Sequence, residues 1–309
     1  MVGQLLTAGL VFAAAAAAAT AQPEASAPRP EVLTAANDPY HRMTVPVTIR
    51  GMGPYRFLID TGAEATVLSL SLADRLALTD RRPATLIGAA SSRQVSTAAI
   101  DGLELGRRSF NVPIAPLVDA ANIGGADGVL GLDSLQNQRV LLDFRRKIMR
   151  VADARQLGGN AGYEIIVKAK RKLGQLIITE ALLDGVRVAV MIDTGAEGTT
   201  GNPALLRRLR HTRQIGSGTL TDINGITLDG AIRMTGQLSI GRAQISNLPV
   251  MFTDSPTFHQ LGLTEEPALI LGMEQLRLFN RVAIDFSTRR VLFDLQATNP
   301  FTVLHLDAG

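Results

Sequence analysis

Two aspartates carry the chemical interest of this chain. Asp60 lies in "FLIDTGAEAT" (Phe57–Thr66) and Asp193 in "VMIDTGAEGT" (Val190–Thr199), so Asp-Thr-Gly-Ala-Glu occurs twice, each time after an apolar run. A single Asp-Thr-Gly at a strand end reads as a turn former. Two copies at matching places in a repeated unit carry more weight, because a pseudo-twofold axis brings equivalent loops face to face. Two touching carboxylates do not both ionise cheaply. One keeps a proton and the other stays charged, so the pair holds an acid and a base at one pH. One member then deprotonates a water while the other donates to a carbonyl, which is amide hydrolysis without a metal or a covalent intermediate. The neighbours suit that task. Gly62 and Gly195 let backbone N–H groups approach a carboxylate with no Cβ in the way. Thr61 and Thr194 carry hydroxyls able to hydrogen-bond across the axis and lock the two loops.

The elements that must position these loops are themselves duplicated. Asp60 and Asp193 are 133 residues apart. "VLGLDSLQNQRVLLDF" (Val129–Phe144) is echoed by "ILGMEQLRLFNRVAIDF" (Ile270–Phe286), and "LELGRRSFNVPI" (Leu103–Ile114) by "LSIGRAQISNLPV" (Leu238–Val250), in the same order. A whole domain is repeated: residues 41–153 form one half, 163–297 the other, and 154–162, with "QLGGNAG", the linker. Short apolar runs such as Val45–Ile49, Phe57–Ile59, Val188–Ile192 and Val282–Phe286 alternate with Gly, Asn, Asp and Pro, which predicts strands. Helix signals are few. Asn202-Pro203 opens a short helix over Ala204–Leu209, and Ser71 with Asp74 starts its counterpart in the first half. The expectation is an all-β protein with minor helix.

Composition narrows the remaining choices. Of 309 residues 46% are hydrophobic and 19% charged, enough for a sizeable core. Lys and Arg (31) exceed Asp and Glu (28) by only +3, and the short basic runs read as solvated turns and helix faces, so no nucleic-acid partner is expected. Residues 1–21 read as an export signal, with an apolar stretch from Leu5 to Ala19 and a small-x-small site at Ala19-Thr20-Ala21. No Lys or Arg precedes the stretch, which leaves an uncleaved membrane anchor as the alternative. Residues 22–40 read as a Pro/Ala-rich tether or propeptide, and 298–309 as a C-terminal tail. There is no cysteine, hence no disulfide framework. The expected setting is the bacterial periplasm.

The motifs resemble those of the retropepsin/pepsin clan of aspartic proteases, whose signature is two apolar residues followed by Asp-Thr/Ser-Gly-Ala/Ser. "FLIDTGA" and "VMIDTGA" match it, and "VLGLDSL" and "ILGMEQL" match the clan's second element, an apolar-Gly segment before a short helix. The form is similar to single-chain, duplicated, retropepsin-like proteases of bacterial periplasms. The resemblance implies a bilobal acid-protease fold of two pseudo-twofold-related β-barrel halves with a cleft between them. It also implies that Asp60 and Asp193 are the catalytic pair and that Thr61, Gly62, Ala63, Thr194, Gly195 and Ala196 support it. Flaps over the cleft are expected at Leu86–Gln94 and Leu220–Thr227, with Ile87, Gly88, Ala89, Ile223, Asn224, Gly225 and Ile226 at their tips. Asn224-Gly225 is a hairpin turn in its own right. Neither flap has the Tyr of pepsin-type flaps, and Ile87, Ile223 and Ile226 are either flap contacts or strand core. Ala63 and Ala196 replace a Ser that would donate to the carboxylates, so the pair is expected to titrate higher than in Ser-bearing relatives, with a weakly acidic to neutral pH optimum. Glu64 and Glu197 are read as surface or Arg-paired residues.

Rival chemistries have little support in the sequence. His41, His211, His259 and His305 have no metal-ligand spacing and are not mirrored in the repeat. "GSGT" (Gly216–Thr219) is not a nucleophile elbow, and no phosphate-binding loop follows a strand. No cofactor and no metal are expected. The partner is a polypeptide substrate, bound by a monomer that forms its own intramolecular pseudo-dimer. The alternatives are a non-catalytic peptide binder on the same fold and a homodimer with two sites.

Overall fold

A computed structural model describes residues 44–106 and 108–295, together with the backbone of 31–34, 36–37, 43 and 305–306. The expected signal segment and most of the tail lie outside the described residues. Strands dominate, and the helices run six residues or fewer. The molecule is all-β and is built as two halves.

In the N-terminal half, an eight-stranded sheet winds from Ala36–Asn37 through Met43–Ile49, Met52–Ile59, Gly128–Leu130, Val67–Ser69, Arg108–Val118 and Ser92–Leu105 to Arg82–Ile87. Met43–Ile49 also pairs with Ser92–Leu105, which folds the sheet back on itself. The C-terminal half repeats this order from Lys170–Lys172 to Arg213–Thr221, and Gln175–Leu183 pairs with Thr227–Ile240 in the equivalent place. Continuous apolar runs fall where strands are covered on both faces. Phe57, Ile59, Val188 and Val190 are buried in one core that spans both halves.

A third sheet of six strands joins the halves, with Arg139–Asp143 and Phe279–Asp285 antiparallel at its centre. The register sets Leu141 opposite Ala283, Val140 opposite Ile284, and Leu142 opposite Val282. In the repeated "RVLLDF" and "RVAIDF", Leu141 and Ala283 hold the same position. The pseudo-twofold axis therefore passes between them. Arg139 and Asp285, both fully buried, bridge this sheet at 2.7 Å. Arg139 also binds Gly159 and Asn160 of the expected linker.

One local expectation changes. The first-half helix is Leu70–Arg75, and its N-cap is Ser69, whose Oγ accepts from the Leu72 amide at 3.1 Å; Ser71 lies inside the helix. Ser69 ends the preceding strand, and its extended backbone is what places the hydroxyl over the first turn. Part of the expected tether is strand: Glu31–Thr34 pairs with Ile148–Ala152 and so covers the edge of the six-stranded sheet. The second-half helix, Pro203–Arg208, begins as expected, with Asn202 Oδ1 accepting from the Leu205 amide. Among the described residues, no helix is long and apolar enough to cross a membrane.

Candidate active site

Each Asp-Thr-Gly-Ala loop starts where a buried strand ends. Met52–Ile59 runs parallel to Gly128–Leu130, and Val186–Ile192 parallel to Ala268–Leu271. The last rung continues into the loops: the Asp60 amide donates to Leu130 O, and the Asp193 amide to Leu271 O, both at 3.1 Å. The apolar-Gly segments then brace the loops from behind. The Leu132 amide donates to Ala63 O and the Met273 amide to Ala196 O, both at 2.9 Å. Gly131 and Gly272 leave no room for a side chain, since an added Cβ would fall 2.4 Å from the Ala65 carbonyl carbon and 2.2 Å from Gly198 O.

The carboxylates are held from their own loops. Asp60 Oδ1 accepts from the amides of Gly62 (2.7 Å) and Ala63 (3.0 Å), and Asp193 Oδ1 from those of Gly195 (2.8 Å) and Ala196 (3.1 Å). Each carboxylate also packs onto the glycine of the opposite loop. A Cβ on Gly62 would lie 2.6 Å from Asp193 Cγ, and one on Gly195 2.3 Å from Asp60 Oδ2. The threonines lock the loops below them. Thr61 Oγ1 donates to Ile192 O (2.9 Å) and accepts from the Thr194 amide (3.2 Å). Thr194 Oγ1 donates to Ile59 O (2.8 Å) and accepts from the Thr61 amide (3.1 Å). Both threonines are buried, whereas both aspartates keep partial exposure.

Burial raises the Asp193 carboxyl well above the usual carboxylate range, and the charge of Asp60 beside it raises it further; the amides of Gly195 and Ala196 oppose this and are outweighed. A raised carboxyl beside a second one favours a single proton on the pair, which sets an acid and a base side by side. A surface depression lined by Lys170, Glu180, Arg187 and Glu266 includes neither aspartate.

A side chain from the other half also supports the Asp60 loop. Gln175, 4% exposed, comes from the C-terminal half and donates Nε2 to Gly62 O at 2.6 Å. The Gly62–Ala63 peptide then passes that polarisation on, because the Ala63 amide donates to Asp60 Oδ1. Asp133 is a second residue that motif reading missed: it takes the hydroxyl of Thr66 at 2.6 Å and the Thr66 amide at 2.9 Å. In the other half Gln275 takes the Thr199 hydroxyl.

The expected flap segments are hairpin turns, between Arg82–Ile87 and Ser92–Leu105 and between Arg213–Thr221 and Thr227–Ile240. Gly225 takes the positive φ (+76°) of its turn. Ile87 and Ile226 are exposed, at 44% and 45%, and so are not strand core; the tight turns turn them outward. Ile223 alone packs inward, against a cluster of the opposite half that includes Leu58 and Ile123. Glu64 and Glu197 are exposed. Gln260 of the other half donates to Glu64 at 3.3 Å, and partial burial pushes the Glu64 carboxyl up.

The model of the aspartyl protease family matches the chain over residues 45–134 and again over 179–275. The chain belongs to the aspartyl protease family. Each matched stretch of this aspartyl protease relative holds one Asp-Thr-Gly-Ala loop and the apolar-Gly segment that braces it. The double match agrees with the duplicated fold and carries a protease-like function with it. No curated protein matches the chain.

Proposed function

We propose that this protein is an aspartic endopeptidase and that Asp60 and Asp193 are its catalytic pair. The observation that carries the reading is the crossed packing of the two carboxylates, each seated against the glycine of the other's loop. With Asp193 protonated and Asp60 charged, a water held between them loses a proton to Asp60 as its oxygen attacks the scissile carbonyl carbon. Asp193 gives its proton to the carbonyl oxygen. The tetrahedral species collapses when Asp60 passes its proton to the amide nitrogen; the C–N bond breaks and a diol proton returns to Asp193. Thr61, Gly62, Ala63, Thr194, Gly195 and Ala196 keep the two carboxylates in register.

The substrate in this reading is an extended polypeptide, paired to flap backbone with alternate side chains in pockets. The setting proposed is limited processing of envelope proteins in the periplasm by a monomer, since one chain supplies both loops. Digestion of a peptide library by the wild type, Asp60→Asn and Asp193→Asn tests the chemistry. Each substitution should abolish cleavage while thermal unfolding stays cooperative. Normal cutting by either variant overturns the shared-pair assignment, and tight peptide binding without cleavage by the wild type favours the binder alternative.

A further inference from the structure

The two hairpin turns are fastened to each other, and the fastening is one-sided. Asp222 of the C-terminal turn is 4% exposed. Its Oδ1 accepts from the amides of Asn224 (2.9 Å) and Ile226 (3.0 Å), which shapes its own turn. Its Oδ2 reaches the other half and accepts from Ser91 Oγ (2.7 Å) and the Ala90 amide (3.2 Å). Asn224, 5% exposed, adds Nδ2 bonds to Ser91 Oγ (3.0 Å) and Leu86 O (3.3 Å). Beneath these bonds, each tip rests on the wall of the opposite half: Ser255 Oγ donates to Ala89 O at 2.5 Å, and Asn122 Nδ2 to Ile223 O at 3.2 Å. Asn122 and Ser255 are 133 residues apart, the same spacing as the two aspartates. Each half thus offers one wall donor to the opposite tip, whereas the Asp222 contact comes from one half alone. The position matching Asp222 in the first turn is Gly88, where an added Cβ would lie 2.3 Å from Asp222 Oδ2.

We propose that Asp222 is a positioning residue that clasps the two flaps into a single roof. This rests on the reading of Asp60 and Asp193 as the site the roof serves. The C-terminal turn is tied internally through Oδ1 and stays formed when the clasp parts. The N-terminal turn has its own closing bond, from the Gly88 amide to Ser91 O at 2.7 Å, and Oδ2 adds the bonds to Ala90 and Ser91 that join it to the C-terminal turn. Carboxylate hydrogen bonds of this kind are stronger than neutral ones, so a bare apolar contact would not substitute for them.

The test uses the absence of cysteine. Exposed Arg93 and Thr227, one in each flap hairpin, are replaced by Cys and spin-labelled, and the interlabel distance is measured in the Asp193→Asn background so that turnover plays no part. With Asp222 present, one narrow distribution is expected. Asp222→Ala should broaden and lengthen it, with a loss of the closed population of about tenfold or more, the worth of a charged hydrogen bond. Gly88→Ala should do the same while leaving Asp222 and its own turn intact, which answers the objection that Asp222→Ala merely disturbs folding. An unchanged narrow distribution in both variants overturns the clasp. In the active chain, Asp222→Ala should raise KM for an extended peptide about tenfold with a smaller change in kcat. If the distances respond but the wild type cleaves no peptide, the clasp stands and the proposed function falls.

Discussion

Leu141 pairs across the boundary between the halves with Ala283, the residue that occupies its own position in the repeat. Every rung of the central sheet is arranged about that pair, and so are the loops it anchors. The two Arg–Asp sets of the repeat nevertheless differ. Arg139 bonds Asp285 with both sheltered from water, whereas Arg281 turns to Asp294.

Arg139→Met is the first test of that sheet. Burial alone would raise the Asp285 carboxyl, but hydrogen bonds from Ser287, Thr288 and Arg139 outweigh it and hold it low. Removing Arg139 leaves a buried charge with less compensation and should cost about 3–5 kcal/mol in urea unfolding at pH 7. A group with a lowered folded pKa stabilises above its unfolded value and loses that contribution as pH falls. The difference between variant and wild type should therefore shrink toward pH 2.

Asp193→Asn separates charge from shape. A carboxyl whose folded pKa is raised contributes stability that is present below its unfolded pKa and is lost as pH rises through the folded one. The asparagine variant lacks that loss. Its melting temperature should exceed the wild type's at pH 7–8, by roughly 2–4 °C for each kcal/mol of relieved strain, and the gap should close near pH 4. Differential scanning calorimetry at several pH values reads this directly. A gap that widens on acidification contradicts the assignment of the proton to Asp193.

Gln175→Leu probes the side-chain donor to Gly62. Weaker polarisation of the Gly62–Ala63 peptide gives a poorer hydrogen bond to Asp60. The acid limb of the kcat/KM profile should move up by about half a pH unit, a fraction of a neutral hydrogen bond. KM should change little. The change leaves Gly62 O without this donor, so it should also cost about 1 kcal/mol of stability.

Gly195→Ala should lose most of its activity for a steric reason. The new methyl would stand 2.3 Å from Asp60 Oδ2 and push the two carboxylates apart. A displacement near 1 Å costs about 100-fold in rate. Steady-state assays with an extended peptide, alongside a normal far-ultraviolet spectrum, check it.

Much of this molecule is legible before any coordinates. The repeated motifs locate both loops, because Asp-Thr-Gly after an apolar run has a local meaning as strand followed by turn. Asn224-Gly225 marks its hairpin for the same reason, and Asn202-Pro203 its helix. What stays hidden depends on residues far apart in the chain. Gln175 meets Gly62, and Asp222 meets Ser91, through tertiary placement that leaves no periodicity behind. The choice of Ser69 over Ser71 as cap turned on where a strand ends. The outward aspect of Ile87 and Ile226 turned on hairpin twist. One signal was available: the two halves differ where Gly88 faces Asp222, and a departure from a repeat marks a place where the copies do different work.

The rung at Leu141 and Ala283 is nearly self-complementary, since each strand offers the other almost the sequence it carries itself. A half-length chain would present the same seam to a second copy of itself, a twin. Joining the twins in one polypeptide cost nothing at that seam, and it released the copies from the duty of staying identical. Only after such a fusion can a carboxylate be kept in one hairpin and a bare glycine in its counterpart.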